Sequence, residues 1–138
     1  MKKILAMGTF DVFHPGHLYY LKQAAEEGDH LIVVVARDST VKKEKGKMPL
    51  VREDDRVELV RHIDIVDRAV LGNKKDKLRI VEQVKPDVIC LGYDHRVDVV
   101  RLKKELSERG LNGVRIKKMK PYRPMSYKSS VLKKGYGL

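Results

Sequence analysis

Ile4-Leu5-Ala6-Met7-Gly8, Thr9-Phe10-Asp11-Val12-Phe13 and His14-Pro15-Gly16-His17 follow one another near the start of the chain: an apolar run, a loop, and the opening of a helical pattern. An apolar run with no polar alternation reads as a strand buried on both faces of a parallel sheet. From Pro15 onward Leu18, Leu21, Ala24 and Ala25 recur at helical spacing. Proline suits a first helical turn, because its missing N–H would have found no partner there. Free backbone N–H groups and the positive end of the helix dipole then point back at the loop, where an anion can sit. His14 and His17 are three apart, share one face of that turn, and can both donate to phosphate oxygens.

The rest of the chain alternates in the same way. Strands are expected at 3–8, 30–36, 65–71, 87–91 and 114–119, and helices at 15–28, 53–63, 75–85, 97–109 and 128–134, with 37–47 a loop. Gly28 and Gly110 read as helix stops. Strands separated by helical stretches imply right-handed crossovers, hence an α/β fold: a doubly wound parallel sheet of about five strands in a single domain spanning 1–138. In such a sheet a ligand lies outside the carboxyl ends of the strands, near the point where strand order reverses. The segments richest in chemistry, 9–17, 37–47, 72–75, 92–95 and 120–130, all follow an expected strand.

Composition narrows the class. No apolar run approaches the 18 residues of a membrane span, and the run after Met1-Lys2-Lys3 is too short for a signal peptide. A single cysteine, Cys90, excludes an internal disulfide framework and fits a reducing compartment, so the expectation is a cytoplasmic protein without membrane partners. Cys90 lies inside Val88-Ile89-Cys90-Leu91 and reads as a buried small side chain rather than a nucleophile. The net charge of +11 is uneven: residues 101–138 carry 12 basic and 2 acidic side chains, against 18 and 17 before them. A basic end can serve nucleic acid, draw anionic small substrates to a cleft, or simply face solvent. With 6% aromatic residues and no Trp, nucleic acid ranks last of these.

The two histidines could also be a cap, or part of a zinc site, but no third ligand stands nearby in a zinc pattern, so no protein metal ligand is assigned. Residues 37–47 gather Arg37, Lys42, Lys43, Lys45 and Lys47 around Gly46, positive charge on a segment able to close over a phosphorylated ligand. Gly92 at a strand end lets a backbone approach a base or ribose, and Asp94 can accept hydrogen bonds from either.

Gly8-Thr9-Phe10-Asp11 with His14-Pro15-Gly16-His17 resembles the signature of the HxGH nucleotidyltransferase superfamily, in its cytidylyltransferase-like branch. Ala36 to Val41, Lys45-Gly46, Glu53 to Arg56 and Gly92-Tyr93-Asp94 are similar to the archaeal FAD synthase family within it. His95 stands where that family leads one to expect Gln, and the Asp-Asp-Trp type of segment found in glycerol-3-phosphate cytidylyltransferases is absent. The resemblance implies a Rossmann-like nucleotidyltransferase fold, transfer of AMP from ATP to FMN, and Mg²⁺ or another divalent cation. It implies catalytic roles for His14, His17 and Lys45. Nucleotide contacts would come from Thr9, Phe10, His14, Pro15, Gly16, His17, Gly92, Asp94, Tyr122, Ser129 and Ser130.

Asp38, Lys42 and Arg56 would meet acceptor or phosphate, Arg56 alternatively forming a surface ion pair with Asp38. The family's Ser/Thr-rich turn falls among Ser126, Ser129 and Ser130, with Lys128 adding charge, and its register here is open. A Tyr such as Tyr122 could equally be packing. A homodimer is the assembly the resemblance suggests. The first alternative is cytidylyl transfer to a polyol phosphate such as glycerol 3-phosphate. The second, of another class, is a basic nucleic-acid-binding domain without turnover.

Overall fold

Alternate side chains of the first strand fill two separate cores, as its unbroken apolar run requires. Ile4 and Ala6 join Leu21, Ala24, Val57 and Val60 on one face; Leu5 joins Ile80, Val81, Val84, Ile89, Leu91 and Leu106 on the other. The computed structural model describes residues 1–95, 97–123, 129–135 and 137. In chain order the elements are β1 (Lys3–Gly8), α1 (Pro15–Ala25), β2 (His30–Val35), α2 (Asp38–Lys45), α3 (Glu53–Arg61) and β3 (Arg68–Leu71). There follow α4 (Arg79–Val84), β4 (Val88–Leu91), α5 (Val99–Glu108), β5 (Arg115–Lys118) and α6 (Ser129–Gly135).

The five strands run in the order β3-β2-β1-β4-β5, every neighbouring pair parallel. Helices α1 and α3 cover one face, and α4 and α5 the other. The order reverses between β1 and β4, so the expected ligand crevice lies beside the first strand's carboxyl end.

Residues 37–47 are not a loop, as the sequence suggested, but hold helix α2, closed by Gly46 in the left-handed conformation at φ +80°. Its polar run hides only Val41, so no apolar stripe announced it. Gly110 (φ +78°) does end α5, through Gly110 N–H to Ser107 and Leu111 N–H to Leu106. Gly28 is not such a stop: α1 ends at Ala25, and a Cβ on Gly28 would stand 2.8 Å from the Lys2 carbonyl oxygen. Its role is close approach to β1. Helix α4 starts at Arg79 rather than 75, because Asn73 Oδ1 accepts from the amides of Lys75 and Asp76, and Asp76 Oδ1 from Leu78. Those side-chain turns compete with helix.

Candidate active site

At the reversal point the ladder between β1 and β4 is continued by a side chain. The register ends at Ala6 opposite Cys90. Beyond it, Met7 N–H donates to the Tyr20 hydroxyl (3.1 Å), which donates to the Cys90 carbonyl (2.6 Å) and also lies 3.0 Å from the Met7 carbonyl. Burial pushes the Tyr20 phenol's pKa up, so it stays a donor. Tyr20, unremarked in the sequence beside Tyr19, therefore ties the two strands together where they part. Cys90 is fully buried, and burial raises its thiol to about 12, which fits an inert packing residue.

The loop between β1 and α1 is held under strain. Phe10 (φ 55°) and the β-branched Val12 (φ 52°) both take left-handed conformations, worth about 1–3 kcal/mol each. Between them the buried Asp11 carboxylate accepts from the amides of Leu50 and Val51, both at 2.9 Å, and from the Lys133 ammonium. Ser129 Oγ donates to the Asp11 carbonyl. One carboxylate thus joins this loop to segment 49–51 and to α6. These partners are 39 to 122 residues distant, so no local pattern pointed to Asp11.

His14 caps α1. Its Nδ1 accepts the Gly16 N–H at 3.0 Å, and His17 Nδ1 accepts the His14 N–H at 3.2 Å. With both Nδ1 atoms accepting, the neutral rings carry their protons on Nε2. The two imidazoles stack on each other, centroids 3.8 Å apart, and His17 meets Phe10 edge to face at 5.5 Å and lies tilted against Phe13 at 5.2 Å. Burial, then the neighbouring His14 and Lys45, push His17 down to about 3; burial also lowers His14, against the pull of Asp94. The first-turn amides differ from expectation: those of Gly16 and His17 are already bonded to His14. Neither Nε2 has a partner among the described residues, and since no described buried side-chain N or O lacks one, both Nε2–H groups are open to solvent.

Lys45 reaches back from the end of α2 to Thr9 Oγ1 at 3.3 Å. Crowding by protein lowers its pKa, with Asp94 and Asp11 opposing, so the ammonium stands among the groups of this cleft. Lys42 is exposed and makes no described side-chain bond. Arg56 is neither a surface ion pair nor placed to meet a phosphate. It is fully buried, donating to the carbonyls of Val51, Thr9 and Ala36 and to Asp38 Oδ1 at 2.7 to 2.8 Å. Glu53 accepts from the Asp38 amide and from Arg37, fixing the start of α2. Arg56 and Glu53 thus hold the start of α2, the helix whose last residue is Lys45.

Across the cleft, buried Gly92 and exposed Tyr93 and Asp94 leave β4. Asp94 lies in electrostatic range of His14, Lys45 and His95. Tyr122 packs on Tyr19 of α1, centroids 5.1 Å apart, with the Arg123 guanidinium 5.4 Å over its ring. Phe10 is a core residue, 3% exposed. Pro15 and Ser130 are exposed, while Ser129 is held by Asp11. Ser126 and Lys128 lie outside the described residues. Among the described residues no three His, Cys, Asp or Glu side chains converge as a metal cage. This donor set suits an ion held chiefly by phosphate oxygens and water, with Asp94 the available carboxylate.

The sheet order and the cleft at its reversal are those of a Rossmann-like nucleotidyltransferase. A family model described as cytidylyltransferase-like matches residues 5–135, and the chain belongs to that family. It is 51% identical over 118 residues to an FAD synthase of Methanosarcina barkeri, covering 84% of each chain. To an FAD synthase of Thermoplasma acidophilum it is 42% identical over 134 residues, 97% of this chain and 93% of that one. A crystal structure from Thermoplasma volcanium GSS1, described as a lipopolysaccharide core biosynthesis protein, superposes with a TM-score of 0.84 at 42% identity, covering 88% of this chain and 98% of that one. Among the described residues no helix is long and apolar enough to cross a membrane.

Proposed function

We propose that this chain is an FMN adenylyltransferase, making FAD and pyrophosphate from ATP and FMN. Similarity to FAD synthases over most of the chain supports the reaction. The observation that carries the site is the pair of solvent-open Nε2–H donors on His14 and His17 beside the Lys45 ammonium.

A phosphate monoester has a second pKa of about 6, so the FMN phosphate is largely dianionic at neutral pH and needs no base. One of its oxygens forms a bond to the α-phosphorus of ATP, while the bond from that phosphorus to the bridging oxygen breaks and pyrophosphate leaves with the electron pair. The protein's task is alignment and charge stabilisation. His14 and His17 donate as neutral imidazoles to the triphosphate, and the α1 dipole adds positive potential. Lys45, on α2 between the nucleotide cleft and the loop that follows, meets the acceptor phosphate or the α-phosphate. Gly92 and Asp94 border the base and ribose. A divalent ion, Mg²⁺ or another, would ride on the triphosphate, neutralise part of its charge, and be reached by Asp94.

The test incubates the protein with Mg²⁺, each nucleoside triphosphate in turn, and FMN or glycerol 3-phosphate, then measures pyrophosphate and product. FAD formed with ATP and FMN is the expected result. CDP-glycerol formed instead moves the chain to the cytidylyltransferase alternative. Absence of turnover with every pair, together with salt-sensitive RNA binding, would favour the non-catalytic reading.

A further inference from the structure

Opposite the two stacked histidines stands a third ring that the scheme above leaves unused. His95 follows Asp94, and its backbone N–H donates to the Gly92 carbonyl (3.2 Å), closing a tight turn. The turn folds the ring back over its own start, where Gly92 N–H donates to His95 Nδ1 at 3.0 Å. A Cβ at position 92 would come within 3.1 Å of His95 Nε2, so the ring packs closely over Gly92. Tyr20 meets it edge to face, centroids 6.0 Å apart. The ring is therefore set by a turn, a glycine and the tyrosine that bridges β1 and β4.

That setting fixes its chemistry. An accepting Nδ1 makes the neutral ring a donor at Nε2. Protonation would place an N–H on Nδ1 against the Gly92 N–H, and burial opposes it further. The charged and titratable groups around the ring are Asp94, Lys45, Lys118 and His17. Nε2 has no partner among the described residues, and because no described buried side-chain nitrogen is left unpaired, it is not sealed from solvent, in a ring whose neighbours Asp94, Lys45 and His17 belong to the cleft.

We infer that His95 is a third imidazole contact to the nucleotide, its Nε2–H donating to a phosphate or ribose oxygen from the β4 side while His14 and His17 donate from the β1 side. This rests on the nucleotide site proposed above, but not on FMN being the acceptor. A ring serving only to cap the 92–95 turn would use Nδ1 and leave Nε2 idle.

The first measurement follows the ring ¹⁵N resonances of the wild-type protein as Mg²⁺ and ATP are added without FMN. The His95 Nε2 signal is expected to shift; a signal unmoved at saturating ATP overturns the inference. The second compares His95→Leu with His95→Gln, whose amide offers both an acceptor for the Gly92 N–H and a donor for the ligand. The leucine variant should raise the KM for ATP about tenfold or more with the KM for FMN unmoved, and glutamine should restore it to within about threefold. Equal ATP KM in all three proteins overturns the inference. Should the wild type make no FAD while Nε2 still shifts with ATP, the assigned reaction falls and this contact stands.

Discussion

The fully buried Arg56 pairs with the partly exposed Asp38, 2.7 Å between Nη2 and Oδ1. Because the same guanidinium holds three backbone carbonyls, its removal leaves a carboxylate and those carbonyls without partners. Arg56→Ala should therefore cost on the order of 3–5 kcal/mol, read as a lower midpoint in urea unfolding. A loss under about 1 kcal/mol would contradict the buried network.

Lys45 and Lys42 lie one helical turn apart but in different surroundings. Lys45→Ala should lower turnover about 100-fold, the scale of one well-aimed donor at developing charge. Lys42→Ala should stay within about threefold. Initial rates of pyrophosphate release decide between them, and equal losses would mean that general charge, not placement, does the work.

Tyr20→Phe keeps the ring and deletes only the bridging hydroxyl. Met7 N–H and the Cys90 carbonyl then lose their partner, at a cost of about 1–3 kcal/mol. Hydrogen exchange of the Met7 amide should quicken by at least tenfold. An unchanged Met7 exchange rate would show that the two strands close without the hydroxyl.

Acid should weaken the fold through His17. Its folded pKa, pushed down to about 3, lies below an unfolded value near 6.5. Below pH 6.5 the unfolded chain therefore binds the extra proton, and stability falls as pH falls. The loss between pH 7 and pH 5 is about 2 kcal/mol from this ring alone, and His14 and His95 act in the same direction. Urea midpoints at the two pH values should differ less in His17→Gln than in the wild type. Identical pH dependence would remove His17 as the source.

Elements carried by their own pattern are legible in the sequence: the two-faced apolar run of β1, the Pro15 helix start, the glycine that ends α5. The place of His14 and His17 at the start of α1 is legible for the same reason, since cap and helix start lie within four residues. What escaped notice depends on partners far along the chain. Helix α2 is polar and anchored by Glu53 and Arg56 rather than by a stripe of its own. Asp11 draws its meaning from residues 50, 51 and 133, and Tyr20 from strands at either end of a long crossover. The donors at the helix start were misjudged because His14 takes up the amides it was expected to leave open.

Strand β5, Arg-Ile-Lys-Lys, is an edge strand with no partner on its outer side among the described residues. Lys117 is tied to Glu27, but the exposed Arg115 and Lys118 flank it on that margin. Like charges of this kind repel an approaching copy of the same strand and discourage the lateral stacking from which aggregates grow. Part of the positive charge gathered in the last quarter of the chain thus acts as a guard that keeps the sheet from recruiting a sixth strand.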